Sequence, residues 1–179
     1  MIENDNKFVI ETLKGKIDSF GVLVEKYQNI MYNLACQIVH NSDDAKDITQ
    51  SAFIKAYTKL KSFDSKKSFF SWIYRITLNE SLNFNKQAQL TKLIDYDIPG
   101  KDKSALEEIE MSEEYLTIKK AISQLEDKYK CLIILKHFHN LSYEEITQII
   151  QIPIEKVKSR LYIAREKLRL SLGEKKYGK

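Results

Sequence analysis

The chain has 179 residues, of which 43% are hydrophobic and 30% charged, a composition typical of a water-soluble globular protein. It contains no run of about 18 apolar residues, so we expect no membrane-spanning helix and no direct insertion into a membrane. Residues 1–5 are acidic and lack an apolar stretch, so we expect no signal peptide here. Glycine (5) and proline (2) are scarce and apolar residues recur at helical spacing, which predicts an all-α fold.

The residues needed for catalysis or metal binding do not occur in a usable pattern. There is no glycine-rich phosphate loop and no nucleophile paired with a base. His40, His137 and His139 have no cysteine or carboxylate cluster around them, so we expect no metal site. Cys36 and Cys131 lie in apolar helical patterns and are predicted to be reduced core thiols of a cytoplasmic protein. We therefore predict a binding protein without catalytic residues, cofactor or metal.

Three helices are predicted in the first 60 residues. The first covers about residues 5–14, and the second is about twenty residues long, is capped by Asp18 or Ser19 and ends near His40. Ser42 is predicted to cap the third helix. Its apolar face comprises Ala45, Ile48, Ala52, Phe53, Ala56 and Leu60, and its outer face comprises Asp44, Asp47, Gln50, Ser51, Lys55 and Lys59. The short loops between these helices indicate antiparallel packing.

An aromatic and basic segment follows. Five aromatic residues occur within twelve positions, interleaved with three basic residues: Phe63, Phe69, Phe70, Trp72 and Tyr74 with Lys66, Lys67 and Arg75. Such a pattern suits single-stranded nucleic acid, because rings stack on bases at about 1–3 kcal/mol each and cations follow the backbone. An aromatic core is the alternative, and it is favoured for Phe69, Trp72 and Ile73. For the loop of residues 63–68 (the 63–68 loop), Tyr74 and Asn79, both interpretations stay open.

A polar, acidic segment divides the chain. Ser68 is predicted to cap a fourth helix, which weakens after Ile76 and ends in a polar stretch near Lys86. Residues 87–112 contain six acidic and three basic residues together with Pro99 and Gly100, as in a linker. We predict one small helical domain over residues 1–86 and a second over residues 113–179. A solvated linker is favoured over an acidic mimic of nucleic acid.

Four helices are predicted in the second domain. The first starts near Ser112 with the apolar stripe Tyr115, Ile118, Ile122 and Leu125, and the next is ended by Asn140. Ser142 and Glu145 then form a capping box, and the short helix that they begin stops before Pro153. The last helix starts near Ile154, buries Val157, Leu161, Ala164 and Leu168, and gives way to a frayed basic tail from Gly173.

The last two helices match the helix-turn-helix plan. The outer face of the final helix is basic and hydroxyl-bearing: Lys156, Lys158, Ser159, Arg160, Tyr162, Arg165, Lys167 and Arg169. In residues 155–179, nine basic residues stand against three acidic ones, which suits a polyanionic partner. A helical hairpin with a merely solvated basic face is the alternative, and this stretch alone does not decide between the two.

Two groups of motifs resemble a known family. Residues 44–50 (DAKDITQ), 53–57 (FIKAY) and 69–79 (FFSWIYRITLN) resemble region 2 of bacterial sigma factors of the sigma-70 family. Residues 141–146 (LSYEEI) and 157–161 (VKSRL) resemble region 4. The order, spacing and absence of an intervening region 3 are similar to the extracytoplasmic-function (ECF, group IV) sigma factors. The resemblance implies a factor that confers promoter recognition and strand opening on core RNA polymerase in transcription initiation, for example in a stress response.

The resemblance also implies roles for individual residues. Asp44, Asp47, Gln50 and Lys55 would dock on the β′ clamp helices of the polymerase. Phe63, Lys66, Lys67, Tyr74, Arg75, Asn79 and Asn83 would open the minus-ten promoter element and hold an extruded base. Lys158, Ser159 and Tyr162 would read the minus-thirty-five element, with Ser142, Tyr143 and Arg160 nearer the DNA backbone. The implied partners are core RNA polymerase (β′ and β subunits), promoter DNA and an anti-sigma factor, and the linker would thread toward the polymerase channels.

Three positions depart from the family pattern. Ser51 stands where an acidic residue is usual, Glu126 replaces a usual proline, and Ile163 occupies a position of the last helix that is often basic or polar. Two other functions remain as alternatives. One is a stand-alone helix-turn-helix regulator with an N-terminal dimerisation or sensing module. The other is a protein-interaction adaptor that never contacts DNA.

Overall fold

The computed structural model describes residues 2–94 and 113–177, and every element in these ranges is helical. The chain divides into two compact units, Met1–Ser104 (unit 1) and Ala105–Lys179 (unit 2). Unit 1 contains α1 (Ile2–Leu13), α2 (Ile17–Val39), α3 (Ser42–Thr58), a 3₁₀ turn (Leu60–Ser62) and α4 (Phe69–Ile94). Unit 2 contains α5 (Glu113–Ser123), α6 (Asp127–Ile133), a π-helical turn (Ile134–Phe138), α7 (Tyr143–Ile150) and α8 (Ile154–Tyr177). The predicted all-α fold is confirmed, and none of the described helices is long and apolar enough to span a membrane.

The core of unit 1 lies between α2, α3 and α4, which pack against one another. The apolar positions predicted for the third helix are all buried, and its alanines at 45, 52 and 56 are fully inaccessible. These small side chains let the helix backbones approach closely. Leu23, Met31 and Leu34 of α2 and Phe69 and Ile73 of α4 fill the space between them. Phe69 and Ile73 thus belong to the core, as the sequence favoured, while Trp72 is half-buried at its edge.

Helix α1 is attached to α2 by a buried polar contact. Asp5 is only 3% exposed, and its carboxylate accepts hydrogen bonds from the Tyr27 hydroxyl and the Lys26 ammonium, both at 2.5 Å. Burial, together with the bond to Asp5, raises the pKa of Tyr27 to about 12. The phenol therefore stays protonated as a donor at physiological pH. Val9 and Thr12 complete the buried face of α1.

Two predicted helix caps are wrong. Helix α2 begins at Ile17 without a side-chain cap, because Asp18 and Ser19 both lie inside its first turn. The Ser19 hydroxyl donates to the carboxylate of Glu11 at 2.8 Å. The cap of α3 is Asn41 and not Ser42, since the Asn41 side-chain oxygen accepts from the backbone N–H groups of Asp43 and Asp44. Asparagine and serine are equally good caps, so two adjacent candidates cannot be separated by residue type.

Helix α4 is longer than predicted. Ser68 caps its start, with its hydroxyl 3.4 Å from the backbone nitrogen of Ser71. The helix continues to Ile94, so the end predicted near Lys86 is wrong, and the rest of the proposed linker (95–112) lies outside the described residues. Phe84 packs on the core cluster around Ala35, and the Asn85 amide donates to the carbonyl of Ile38 at 2.7 Å. These contacts support the polar half of the helix, which contains no glycine or proline to stop it.

Unit 2 buries one compact core, formed by α6, α7 and α8 with the C-terminal end of α5. Leu132, Leu135, Ile146, Ile149 and Leu161 are fully buried, as are Val157 and Ala164 of the predicted stripe of α8. Cys131 is a buried free thiol, as predicted, and burial raises its pKa to about 11. Cys36 is also a free thiol, but it is only partly buried.

Two predictions for unit 2 are wrong. Tyr115 and Ile118 of the predicted stripe of α5 are more than 40% exposed, whereas Ile122 of the same stripe is buried, together with Ala121. The frayed tail predicted from Gly173 is part of α8, which reaches Tyr177. A single glycine lowers helix stability by only about 1 kcal/mol and does not by itself end a helix.

Replacing Asp5 by alanine is expected to lower the free energy of unfolding of unit 1 by about 1–3 kcal/mol, because the buried Tyr27 hydroxyl loses its acceptor. The fluorescence of Trp72, the only tryptophan in the sequence, reports on unit 1 during urea unfolding. Glu25→Ala removes an exposed carboxylate from α2 and is expected to change stability by less than about 0.5 kcal/mol. Equal midpoints for Asp5→Ala and wild type would contradict the anchoring role.

Candidate polymerase-binding and nucleic-acid interfaces

The predicted polymerase-binding residues lie along one face of α3. Asp47 and Gln50 are exposed and make no hydrogen bond or ion pair with other described residues, whereas Asp44 is partly buried in the first turn. Lys55 differs from the others because its ammonium is paired with the carboxylate of Glu80 on α4. The structure therefore leaves two of the four predicted side chains fully available and commits Lys55 to a contact between helices.

Two grooves flank this face of α3. The first, of about 440 Å³, lies between α2 and α3 and is lined mainly by apolar surface, with Gln50 at its border. The second, of about 320 Å³, lies between α3 and α4. Asp47, Lys55, Glu80 and Asn83 line the second groove, as does Ser51, one of the three positions that depart from the family pattern. This groove brings Asp47, predicted to bind polymerase, close to Asn83, predicted to bind DNA.

The 63–68 loop is shaped by side chains at its base. The Phe63 ring packs against Phe69 and Trp72, with ring centroids 5.8 and 5.1 Å apart. The backbone then turns at Asp64, whose side chain accepts from the Lys66 N–H at 3.0 Å and whose carbonyl accepts from the Lys67 N–H at 2.9 Å. The side chains of Lys66 and Lys67 are exposed. The loop thus presents the ammonium groups of two lysines next to the partly exposed rings of Phe63 and Trp72.

Tyr74 was predicted to contact promoter DNA, and the structure contradicts an exposed role for it. The side chain is fully buried and its ring packs edge-on against Phe70, with centroids 5.4 Å apart. Burial raises the pKa of its hydroxyl well above the usual value. Tyr74 directly follows Ile73, and both side chains lie on the core-facing side of α4. The alternation of aromatic and basic residues in the sequence did not reveal this.

The other predicted minus-ten residues of α4 lie along one side of the helix. Asn79 and Asn83 are exposed and Arg75 is half-buried. Their spacing of four residues places them on nearly the same face, over about 12 Å of helix. This row begins close to the 63–68 loop, which directly precedes α4. The loop and the row together offer cations, ring edges and amides to a nucleic-acid strand.

The helix-turn-helix is formed as predicted. Ser142 and Glu145 make both bonds of a capping box, in which Glu145 N–H donates to the Ser142 hydroxyl oxygen at 3.1 Å and Ser142 N–H donates to the Glu145 carboxylate at 2.8 Å. The Ser142 hydroxyl also donates to that carboxylate at 2.9 Å. Helix α7 ends at Ile150, and the next residue, Gln151, adopts a left-handed conformation with φ of 60°. The predicted DNA-binding side chain of Ser142 is thus already used to start α7.

A basic surface surrounds Tyr143 and the first turns of α8. The Lys136 and Lys158 ammonium groups lie 4.8 and 5.7 Å from the centre of the Tyr143 ring. The electron density of an aromatic face attracts cations, so both ammonium groups hold the Tyr143 ring in place. Ser159 is exposed, Tyr162 is 67% exposed and Arg160 is half-buried. Lys136 was not identified from the sequence, because it lies before the helix-turn-helix. The π-helical turn that contains it brings its ammonium next to Tyr143.

Further contacts attach α8 to the preceding elements. The Arg165 guanidinium donates to the Nε2 atom of His137 at 3.3 Å. Burial and the positive charges of Arg165 and Lys136 lower the pKa of His137, so the imidazole is held neutral as an acceptor. Glu126, which replaces the usual proline, pairs with Lys128 at 2.6 Å and with Lys167 of α8 at 3.3 Å. An ion pair thus ties the α5–α6 turn to α8.

Replacing Ser142 by alanine is expected to destabilise unit 2 by about 1 kcal/mol, because the α7 N-terminus loses its cap. Amide hydrogen exchange of α7, followed by mass spectrometry, measures the change locally. Ser123→Ala provides the control, since that exposed hydroxyl only donates back to the Lys120 carbonyl. Unchanged protection of α7 amides in Ser142→Ala would show that the cap does not stabilise this helix.

Comparisons with known proteins agree with this geometry. Residues 23–91 match Sigma-70 region 2, and residues 115–168 match Sigma-70, region 4. The RNA polymerase sigma-H factor of Pseudomonas aeruginosa is 33% identical over 92% of this chain and 91% of its own length. The ECF RNA polymerase sigma factor SigW of Bacillus subtilis is 32% identical over 94% of this chain and 96% of its own length.

Solved structures share the fold. CnrH, in complex with the cytosolic domain of CnrY, aligns over 94% of this chain and 97% of its own with a TM-score of 0.72 and 21% identity. The sigma factor RpoE of Bartonella quintana, in complex with the anti-sigma factor NepR, aligns over 89% of this chain and 98% of its own with a TM-score of 0.64 and 22% identity. Two sigma regions in the expected order, with relatives above 30% identity over nine-tenths of the chain, show that the protein belongs to the extracytoplasmic-function group of the sigma-70 family of RNA polymerase sigma factors.

Proposed function

We propose that this sigma factor docks on core RNA polymerase through the outer face of α3, opens the minus-ten element with the 63–68 loop and α4, and reads the minus-thirty-five element with α8. The observation that carries the proposal is the exposed pair Asp47 and Gln50. Both lie on a rigid helix whose opposite face is fully buried, and neither is bound by another described side chain. A carboxylate and an amide held in this way suit a polar, basic partner surface.

The minus-ten surface combines two kinds of contact with single-stranded DNA. Lys66 and Lys67 would neutralise phosphates, while the partly exposed rings of Phe63 and Trp72 are available to stack on an unpaired base. Extruding a base costs a few kcal/mol, and stacking at about 1–3 kcal/mol per base offsets much of that cost. Arg75, Asn79 and Asn83 would then contact the neighbouring nucleotides along α4. Tyr74 has no direct contact in this proposal.

At the minus-thirty-five element, α8 would enter the major groove. Lys158, Ser159 and Tyr162 are positioned to approach base edges, since they lie in the first three turns of α8. Arg160, Tyr143 and the backbone N–H groups at the start of α7 would contact phosphates. Lys136 joins this phosphate-binding group, because its ammonium lies next to the Tyr143 ring. The side-chain hydroxyl of Ser142 serves mainly to hold the helix start in place.

An anti-sigma factor completes the proposed set of partners. The structure of RpoE with NepR supports this, because it contains a sigma factor of the same fold bound to an anti-sigma factor. CnrH, which shares the fold, is likewise bound to a second protein, CnrY. The protein acts in the cytoplasm, where the polymerase and its promoters are, and contributes binding but no covalent chemistry. Two DNA-reading surfaces on one chain favour this function over a stand-alone helix-turn-helix regulator.

Replacing Asp47 and Gln50 together by alanine is expected to reduce capture of core RNA polymerase by the tagged protein at least tenfold, because two central polar contacts are lost. The measurement is a pull-down with purified core enzyme, quantified against wild type. Glu25→Ala with Asn33→Ala removes one carboxylate and one amide from exposed positions of α2 and controls for the loss of surface polarity. If wild-type protein itself failed to retain core enzyme, the proposed function would be wrong.

Replacements on the two proposed DNA-binding surfaces are expected to affect different steps, duplex binding and strand opening. A promoter is first selected from a random duplex library with the wild-type holoenzyme. Lys158→Ala, which removes a base-edge contact, and Arg160→Ala, which removes a phosphate contact, should both weaken holoenzyme binding to this duplex. Arg160→Ala should also lower the salt dependence of binding by about one unit. Asn79→Ala with Asn83→Ala should instead slow open-complex formation, followed by permanganate reactivity of unpaired thymines.

Lys119→Ala, an exposed charge on α5, is the control for non-specific electrostatics. Tight and sequence-specific duplex binding by the free protein, unchanged by core enzyme, would favour the stand-alone regulator instead. If neither duplex binding nor open-complex formation changed in any of the four variants at Lys158, Arg160, Asn79 and Asn83, an adaptor that does not contact DNA would be favoured.

A further inference from the structure

We propose that Asn6 is a positioning residue for opening of the minus-ten element, because its side-chain amide holds the backbone of the 63–68 loop in place. The inference rests on the proposed function of that loop. It assigns a role in promoter opening to α1, an element outside the two matched sigma regions, which begin at residue 23.

The contact itself is a single long-range hydrogen bond. The Asn6 Nδ2 group donates to the backbone carbonyl of Ser65 at 2.7 Å, across 59 residues of sequence. A carbonyl oxygen can only accept, so the amide must turn its nitrogen toward the loop. The Asn6 Oδ1 atom is buried and has no partner among the described residues. The orientation of this amide is therefore set by the loop carbonyl alone, and the bond links α1 directly to the centre of the loop.

The support beneath Asn6 is rigid. The preceding residue, Asp5, is anchored to α2 by the hydroxyl of Tyr27 and the ammonium of Lys26. The Tyr27 ring in turn packs on Phe69 and Phe70 at the start of α4, with centroids 6.1 and 5.5 Å apart. Asp5 therefore joins α1, through Tyr27, to the aromatic rings at the start of α4. Asn6 joins α1 to the backbone of the loop.

The position of the held carbonyl matters for the cations beside it. Ser65 lies between Asp64, which forms the turn, and Lys66 and Lys67, which are exposed. The Asn6 bond draws the carbonyl of Ser65 toward α1, and the side of the loop that carries the two ammonium groups faces solvent. Without this bond the short segment could rotate about Ser65, and the lysines would lose their fixed relation to Phe63 and Trp72. A phosphate and a stacked base must be bound at the same time, so this relation affects binding of the open strand.

The test uses the reconstituted holoenzyme and a fluorescent single-stranded oligonucleotide that carries the non-template minus-ten sequence of the selected promoter. Asn6→Ala is expected to weaken binding of this oligonucleotide about two- to tenfold, which corresponds to the loss of one ordering hydrogen bond. Asn6→Asp removes the donor and places a negative charge beside the Ser65 carbonyl, so its loss should be larger. Asn6→Gln keeps an N–H donor and should recover part of the affinity.

Two readouts separate positioning from general stability. Affinity for core enzyme and for minus-thirty-five duplex should stay at wild-type values in all three variants, and amide exchange at Lys66 and Lys67 should accelerate in Asn6→Ala and Asn6→Asp. Asn33→Ala, which removes an exposed amide from α2, should change none of these quantities. Oligonucleotide affinities of Asn6→Ala and Asn6→Asp equal to that of wild type would overturn the inference.

Two further outcomes are an unfolded Asn6→Ala variant and a wild-type holoenzyme that does not bind the oligonucleotide. If Asn6→Ala is unfolded at the assay temperature, the comparison of Asn6→Gln with Asn6→Asp replaces it, because both keep a polar group and only one keeps the donor. Equal affinities in that pair overturn the inference, and weaker binding by Asn6→Asp supports it. If wild-type holoenzyme does not bind the oligonucleotide, the proposed function of the loop fails first, which is a different result from a silent Asn6 variant.

Discussion

The burial of Phe69 is the contact on which the rest of unit 1 depends. Its ring is inaccessible to solvent and meets four other rings, those of Phe20, Tyr27, Phe63 and Trp72, at centroid distances of 5.8–6.5 Å. Aromatic pairs of this kind add about 0.5–1.5 kcal/mol each beyond the burial of their area. The cluster joins α2, α4 and the base of the 63–68 loop in one apolar contact. Only the middle of that loop is left to polar contacts, which is why its two lysines reach solvent.

Helices α3 and α4 carry the two functional surfaces of unit 1 as neighbouring faces of one rigid pair. The ion pair between Lys55 and Glu80 spans them, and the groove beside it contains both Asp47 and Asn83. The distance from the proposed polymerase dock to the proposed DNA-binding row is therefore fixed by helix packing. This fixed distance would hold the proposed strand-opening row in a set place relative to the proposed dock. Unit 2 carries the proposed minus-thirty-five surface on a core of its own.

Hydrophobic periodicity predicted the helices well, because burial of one face determines most of the pattern in a helical protein. The stripe of α8 and the capping box at Ser142 were found from sequence alone. Errors arose where the deciding contact is distant along the chain. The Ser19 hydroxyl bonds to Glu11 and not to its own helix, and Asn85 stabilises α4 through Ile38. The role predicted for Tyr74 failed because residue type alone does not distinguish an aromatic ring that binds a base from one that lies beneath it.

The turn of the helix-turn-helix depends on Gln151, whose φ of 60° is left-handed. For a residue with a Cβ this conformation costs roughly 1–2 kcal/mol, and glycine would adopt it readily. The local sequence therefore does not favour the angle between α7 and α8. That angle is imposed by the packing of α7 on α8, which buries Ile146, Ile149, Val157 and Leu161, and by the packing of α8 on α6. A peptide limited to α7 and α8 would keep the first of these supports and lose the second, so the angle between the two helices is expected to be held only when α6 is present.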